Sequence, residues 1–348
     1  MERKSFLEKL VRVSPALLGN DLIPVLTHFW FTGENVMAFN DQIAISVPCQ
    51  TNFTAAVPGN TLMDLLKASK ARELELTIAD NNLNIKAASS KFKLGIMEKE
   101  SFVFEMPKSD KDARLKIDFN RFLSCLDSCM RSVTKDTSVP EQLGVTLIAA
   151  GDQLMMFSTN NSTLSYGEVE LKSKPKFDRV ILSGTFCEQL LKLADPKDMN
   201  LEIHKDYALL EGIGYSLFGR LLEVEKPVDF VSILSHHCKE GYDKELIQIP
   251  SKLRLVLDRA CIITDSKLGP AKTEIFTTDD GKMKFVSKSD RGEVYDSIMV
   301  GDHPKISVTV DPKFLKSGYG SFDRMLVTDI CFIMAQDEKL YLVTVNNE

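Results

Sequence analysis

The chain has 348 residues, of which 44% are hydrophobic and 26% are charged, and its formal net charge is −6. This composition is typical of a soluble globular protein, and the length favours two or three domains. The net charge argues against a simple basic nucleic-acid binder. No apolar run reaches membrane-spanning length, and Lys9 and Arg12 interrupt the N-terminal segment, which therefore predicts an amphipathic helix rather than a signal peptide.

The same order of elements recurs three times along the chain, with a period of roughly 115–130 residues. Each repeat begins with an amphipathic helix, at FLEKLVRVS from Phe6, FNRFLSCLDSCMRSVTK from Phe119 and PSKLRLVLDRACIITDSK from Pro250. Two strand-like runs around a polar turn follow, then a strand leading into a second helix, then more alternating strands. The pattern predicts three copies of one supersecondary unit.

The strands alternate with period two around Asp, Asn and Gly turns, which predicts antiparallel, half-buried sheets. The helices carry one apolar face, which packs on a sheet. Polar, charge-rich stretches separate the repeats. The predicted fold is α+β, with three tandem domains at residues 1–112, 113–241 and 242–348.

Charge is distributed unevenly between the helices and the rest of the chain. The predicted helical segments are 3–14, 59–72, 118–135, 183–197, 250–267 and 311–324. Together they contain 19 Lys or Arg and 10 Asp or Glu, whereas the whole chain contains 43 and 49. If the helices face a common axis, their basic sides form a concave surface suited to a phosphate backbone. For any single helix, a solvated face is the alternative.

In the third helix, polar and basic residues are spaced so that they form one stripe opposite the apolar face. This stripe comprises Arg121, Ser124, Ser128, Arg131 and Lys135. No base-reading module is recognisable, so any DNA contact is expected to be independent of base sequence.

Taken together, the triplicate element order and the length resemble the β-type sliding clamp of the bacterial DNA polymerase III holoenzyme. The supporting stretches are LIPVL at 22–26, ELELTIADNNLNIKAASSKFKL at 73–94, SVTKDTSVPEQLGVTL at 132–147 and RACIITDSK at 259–267. The resemblance covers essentially the whole chain, and its divergence suggests a phage, plasmid or outlying bacterial version.

The resemblance implies a non-catalytic processivity factor that needs no cofactor or metal. Two copies would close head to tail into a homodimeric ring, with sheets outside and helices lining a hole for double-stranded DNA. The implied partners are a replicative DNA polymerase and a clamp loader, in the cytoplasm and away from any membrane. The candidates for DNA contact, chosen by helix position and charge, are Lys9, Arg12, Lys67, Lys70, Arg121, Arg131, Lys135, Lys192, Arg259, Lys313 and Lys316.

Ring closure in this family joins an edge strand of domain 1 to an edge strand of domain 3, here expected at 89–98 and 290–299. The first strand is basic and the second acidic, which favours their pairing. Two isoleucines match the family's apolar anchor in the domain 3 helix, with core packing as the alternative. The residues expected at this interface are Lys91, Lys93, Ile262, Ile263, Glu293 and Asp296.

The polar run STNNSTLSYGEVEL at 158–171 could line an active site, seat a partner or simply reverse a hairpin. The resemblance places it at one wall of a peptide-binding cleft between domains 2 and 3. The residues expected to line that cleft are Thr159, Leu164, Val228, Ile233, Leu342, Thr344 and Val345. Several of these positions depart from the family pattern, which predicts a changed partner motif.

An enzyme and an interaction scaffold are the alternatives to a clamp. His236, His237 and Cys238 suggest a zinc site, but neighbours in an extended segment point to opposite sides, and no fourth ligand has finger spacing. Cys125 and Cys129 lie one turn apart on an apolar helix face, which predicts a core position. The remaining alternative is a clamp-fold interaction scaffold or regulator that does not load on DNA.

Overall fold

The computed structural model describes residues 1–19, 23–97, 102, 104–135, 139–238, 242–265, 272–301 and 303–345. Seven α-helices form within these residues. They are α1 (Arg3–Val13), α2 (Gly59–Ala68), α3 (Phe119–Cys129), α4 (Gly184–Leu193), α5 (Phe230–His237), α6 (Leu253–Thr264) and α7 (Pro312–Gly318). None of the helices formed by the described residues is both long and apolar enough to cross a bilayer.

The strands fall into three series along the chain. The first is β1 (His28–Phe31), β2 (Asn35–Phe39), β3 (Ile43–Pro48), β4 (Ala55–Pro58), β5 (Glu75–Ala79), β6 (Asn82–Ala87) and β7 (Ser90–Gly95). The second is β8 (Gly144–Ala150), β9 (Gln153–Thr159), β10 (Thr163–Glu170), β11 (Arg179–Ser183), β12 (Met199–Ile203), β13 (Tyr207–Gly212) and β14 (Tyr215–Arg220). The third is β15 (Ile247–Gln248), β16 (Thr273–Thr277), β17 (Lys282–Ser289), β18 (Gly292–Met299), β19 (Ser307–Val310), β20 (Arg324–Val327), β21 (Cys331–Gln336) and β22 (Lys339–Thr344).

This order confirms the repeat of helix, strands, helix and strands in triplicate. Each repeat contains one helix, four strands, a second helix and three strands, and α5 and β15 stand outside the pattern. The sequence predicted two strands between the first helix and the strand that leads into the second helix. The structure has three there in each repeat, namely β1–β3, β8–β10 and β16–β18.

One local prediction was wrong. His236 and His237 lie in the helix α5, not in an extended segment, so their side chains do not point to opposite sides as predicted. Asp229 begins this helix by accepting a hydrogen bond from the Ser232 backbone N–H at 3.1 Å, the usual capping arrangement. The described residues bring together no group of three or more His, Cys, Asp or Glu side chains that could hold a metal ion. Parts of LIPVL, SVTKDTSVPEQLGVTL, RACIITDSK and the stretches around residues 98 and 241 lie outside the described residues.

The chain divides into two compact units, the first comprising Met1–Lys116, Pro175–Phe177 and Thr185–Leu221. Its main sheet has the strand order β12-β13-β14-β3-β2-β1-β4, and a smaller sheet has the order β5-β6-β7. The two series of strands meet where β14 pairs with β3. Phe39 and Phe218, from different repeats, pack there with ring centroids 6.5 Å apart.

The second unit comprises Ile117–Lys174, Asp178–Gly184 and Leu222–Glu348. Its larger sheet has the order β11-β8-β9-β10-β22-β21-β20-β15, and its smaller sheet has the order β18-β17-β16-β19. Here β10 pairs with β22, so strands of the second and third repeats again share one sheet. All pairings are antiparallel, as predicted. The predicted domain boundaries near 112 and 241 stay a prediction.

Helix α3 illustrates how the amphipathic pattern places a helix on a sheet. Phe122, Leu126 and Cys129 are fully buried, and Cys125 is nearly so, which confirms the predicted core position of the two cysteines. Burying each large apolar side chain contributes about 1.5–3 kcal/mol. Close approach requires a glycine on β10, because a Cβ at Gly167 would lie 2.7 Å from the Cys125 Cβ. The polar stripe is shorter than predicted, since Ser128 is buried and the helix ends at Cys129.

Candidate functional site: an apolar cleft, cationic helices and two sheet edges

A cleft of about 230 Å³ lies within the second unit, beside the junction of β10 and β22. Six of the seven residues predicted for the partner pocket line it together. They are Thr159, Leu164, Val228, Ile233, Leu342 and Thr344. The seventh, Val345, lies outside and packs against the core around α6 and β16–β19. Binding by this cleft stays a prediction.

The base of the cleft is formed where the two strands pair. Leu164 lies directly opposite Leu342 in the antiparallel register, and both side chains are buried. The Thr344 backbone N–H donates to the Ser162 carbonyl oxygen at 2.9 Å, and the Thr344 hydroxyl donates to the same atom at 3.1 Å. The end of β22 is therefore fixed against the β9–β10 turn.

The polar side chains of that turn mainly hold the turn itself. Asn160 Oδ1 accepts hydrogen bonds from the backbone N–H groups of Ser162 at 3.1 Å and Thr163 at 2.8 Å. The Thr159 hydroxyl donates to the Thr163 carbonyl oxygen at 2.8 Å. Asn161 adopts a φ of 71°, a conformation that Asn tolerates better than most residues. The run therefore reverses a hairpin, and that hairpin forms the rim of the cleft.

The opposite wall is formed by Val228 and helix α5. Phe230 is buried and stacks on Phe157 with ring centroids 5.1 Å apart, which anchors the first turn of the helix in the core. Ile233 and His237, one turn apart, face the cleft. Burial and the neighbouring His236 lower the pKa of His237, so its ring is neutral at pH 7.

Seven further residues line the cleft, namely Val139, Glu141, Gln142, Asn161, Thr163, His237 and Cys331. Two of them, Asn161 and Thr163, belong to the polar turn that the sequence placed at this wall. The others come from segments far apart in the chain, and no local pattern marks them.

The chemistry of the cleft suits binding of an apolar segment. Five aliphatic side chains line it beside polar ones such as Thr159 and Asn161, a combination found in sites that recognise peptides. Burial raises the pKa of the Cys331 thiol to about 11, against the effect of its hydrogen bond with Thr328. The thiol is therefore protonated at pH 7 and is a poor nucleophile.

In the first unit, the predicted DNA-contact residues lie on or beside three helices. Lys9 and Arg12 lie on α1, Lys67 lies on α2, and Lys192 lies on α4, whereas Lys70 follows the end of α2. Lys67 forms an exposed ion pair with Asp64 at 3.3 Å. The other four cations form no ion pair with any described residue, and Arg12, Lys70 and Lys192 are exposed while Lys9 is half-buried.

In the second unit, most of the predicted cations are paired. Lys313 Nζ lies 3.0 Å from Asp265 and Lys316 Nζ lies 2.8 Å from Asp258, so acidic side chains offset both lysines. Arg259 forms a two-armed pair with Asp296, at 2.9 and 2.6 Å.

Two arginines of the second repeat are also engaged. Arg121 lies 3.4 Å from Glu338, and Arg131 donates to the Ser317 carbonyl oxygen at 2.7 Å. Lys135 lies beyond the end of α3 and is exposed. Arg254, on the exposed side of α6, was not among the predicted residues.

The strands predicted to close a ring lie at sheet edges. β7 is the last strand of its sheet and β18 is the first of its own, and Lys91, Lys93 and Glu293 are exposed on them. Asp296, also on β18, forms an ion pair with Arg259. Ile262 is 67% exposed, so core packing does not account for it, and Ile263 is half-buried.

No protein-family model matches the chain. Solved structures do match over its whole length. A DNA polymerase sliding clamp from Bacillus subtilis matches with a TM-score of 0.85 at 13% identity, over 100% of this chain and 98% of that one. A DNA polymerase III β subunit from Pseudomonas aeruginosa matches with a TM-score of 0.84 at 16% identity, over 100% and 99%. A third, from Thermotoga maritima, matches with a TM-score of 0.80 at 16% identity, over 100% and 98%. The chain thus has the sliding-clamp fold of these β subunits.

Proposed function

We propose that this chain, which has the sliding-clamp fold, is a DNA polymerase processivity factor. Two copies close head to tail into a ring that encircles double-stranded DNA without sequence specificity. The apolar cleft binds peptide segments of a replicative polymerase and of a clamp loader, in the cytoplasm. The role is non-catalytic.

The observation that carries the proposal is an unfinished pattern of strand pairing. Within the chain, β14 of the second repeat pairs with β3 of the first, and β22 of the third pairs with β10 of the second. In each pair, the last strand of one repeat joins the third strand of the repeat before it. By the same rule, β7, the last strand of the first repeat, should pair with β18, the third strand of the third repeat, from a second copy. Both are edge strands among the described residues. A second copy supplies both missing partners, and the pattern then closes with two copies.

The register of the internal pairs predicts the contacts at this junction. In both pairs, the third residue of one strand stands opposite the third residue of the other, as Ser165 does with Tyr341 and Leu217 does with Ile45. Applied to β7 and β18, this rule places Phe92 opposite Val294, and both are half-buried. It places Lys93 opposite Glu293, and both are exposed. In this register the half-buried residues of the two strands lie opposite each other, and so do the exposed residues, which carry opposite charges.

Assembly is tested by sedimentation velocity, which should give about twice the chain mass of 39.0 kDa. Lys93→Glu should weaken the dimer by placing like charges together, and adding Glu293→Lys should restore it. Lys174→Glu, an exposed change away from both edges, is the matched control and should have no effect. A strictly monomeric wild type, on or off DNA, would contradict the ring.

DNA encirclement is tested by retention on plasmid in the presence of a clamp loader. A closed ring stays on nicked circular DNA and runs off the linearised form at moderate salt. Equal loss from both forms, with a steep salt dependence, would indicate ordinary electrostatic binding instead. Replacing Lys9, Arg12, Lys70 and Lys192 by Gln should weaken DNA contact more than replacing Lys313 and Lys316, because acidic side chains already offset the latter two.

A second candidate is a clamp-fold scaffold or regulator that does not load on DNA. The ion pairs that offset Arg259, Lys313 and Lys316 favour it, since they reduce the positive field of α6 and α7. Absence of retention on circular DNA, together with intact peptide binding, would support this role.

A further inference from the structure

We infer that Glu141 and Arg179 position the cleft wall formed by Val228 and α5, an inference that rests on the proposed peptide-binding role of the cleft. Neither residue was expected from the sequence. Glu141 lines the cleft itself, whereas Arg179 lies behind the wall at the start of β11. Both lie in the second unit.

The two side chains hold both backbone groups of one wall residue. Glu141 Oε1 accepts the Val228 backbone N–H at 2.7 Å, and Arg179 Nη1 donates to the Val228 carbonyl oxygen at 2.9 Å. Arg179 Nη2 donates to the same Glu141 oxygen at 3.2 Å, which closes the triangle. Residues 223–229 form neither helix nor strand, so no sheet ladder fixes Val228. The Val228 carbonyl oxygen also accepts the backbone N–H of its near neighbour Phe230 at 3.0 Å, so the longer-range anchoring of Val228 depends on this pair.

Arg179 also connects this residue to the helix. Its guanidinium carbon lies 5.6 Å from the centroid of the Phe230 ring, a cation–π distance. Ile233 and His237, three and seven residues after Phe230, lie on the same side of α5 and face the cleft. One guanidinium thus sets both the loop and the helix that make up the wall.

The energetics favour a positioning role over simple stabilisation. The Glu141 side chain is 7% exposed and that of Arg179 is 25% exposed, so both charges are largely removed from water. Such pairs are often no more stabilising than apolar residues of the same volume. Arg179 Nε is also buried and makes no hydrogen bond within the described residues. The pair instead fixes the backbone of Val228, because Glu141 holds its N–H group and Arg179 holds its carbonyl oxygen.

The test compares variants that keep the charge with variants that keep the shape. Glu141→Met keeps the approximate shape but removes the oxygen that accepts the Val228 and Arg179 N–H groups, and Arg179→Lys keeps the charge but cannot present two N–H groups at the same spacing. The probe is a synthetic copy of the peptide most enriched from a random phage-displayed library on the wild-type protein. Counter-selection on Ile233→Arg, a half-exposed cleft position, removes peptides that bind elsewhere.

Both variants should weaken binding of this peptide about tenfold or more, because the preformed wall is lost. Lys226→Gln, an exposed change in the same loop, is the control and should bind normally. Circular dichroism at the assay temperature confirms that each variant is folded. Folded variants that bind as tightly as the wild type would overturn the inference.

Hydrogen exchange separates this inference from the proposed function. Residues 226–237 should exchange faster in both variants than in the wild type and the Lys226→Gln control. Faster exchange with no peptide recovered from the library would uphold the positioning role and count against the binding role of the cleft. Unchanged exchange and unchanged affinity would count against the positioning role alone.

Discussion

Glu202 is the clearest point at which one substitution should loosen the connection between the first two repeats. The residue lies on β12 with no exposed surface. Its carboxylate accepts the Asp110 backbone N–H at 2.8 Å, the Arg114 Nε–H at 3.3 Å and the Ser109 hydroxyl. His204 Nε2 lies 3.3 Å away. The carboxylate therefore fixes the segment that leads from the first repeat into the second.

The cost of Glu202→Ala follows from what the change leaves behind. A partly buried guanidinium, a backbone N–H and a hydroxyl all lose their acceptor. Breaking a buried charge pair by removing one partner costs about 3–5 kcal/mol. We therefore expect the free energy of unfolding of the first unit to fall by about that amount.

The single tryptophan gives a local assay for this unit. Trp30 is buried there and stacks on Phe102 at 4.8 Å, so urea denaturation followed by its fluorescence reports unfolding of the same unit. Glu105→Ala removes an exposed carboxylate nearby and serves as the control, with an expected change within about 0.5 kcal/mol. If Glu202→Ala unfolds within about 1 kcal/mol of the wild type, the reasoning about this network is wrong.

Three further outcomes are expected. Burial raises the pKa of Glu202, but its hydrogen bonds outweigh that effect and lower the pKa below the ordinary value of 4.5. The stability that the ionised carboxylate contributes is therefore complete above pH 4.5 and is lost as the pH falls through the lowered pKa. In an acid titration, Glu202→Gln should show a weaker decline in stability than the wild type. Gly167→Ala should destabilise the second unit by about 1–3 kcal/mol in calorimetry because the new Cβ meets Cys125, whereas Gly19→Ala in the first unit, whose new Cβ meets nothing within 4 Å, should leave the stability of its own unit unchanged. Asn160→Ala removes the acceptor of three hydrogen bonds and should cost about 1–3 kcal/mol, with faster hydrogen exchange confined to the β9–β10 turn.

The sequence by itself determined the order and type of nearly all elements, because hydrophobic periodicity is a local property. It placed α3 with its apolar face, and it placed each strand that leads into a second helix. It did not predict α5, since a helix of eight residues with two histidines at its end carries a weak periodic signal. Ser128 looked like part of a solvated face, and its burial depends on packing that the residue itself does not encode.

Only the tertiary structure decided which strands share a sheet and which charges cancel. The pairing of β14 with β3 joins residues more than 160 positions apart, and no pattern within either strand specifies that partner. The same holds for Arg259 with Asp296, an ion pair within the chain that no local pattern indicates. The wall of the cleft depends on Glu141 and Arg179, 38 residues apart. Side-chain type can be read locally, but long-range contacts are set by the packing of the whole unit.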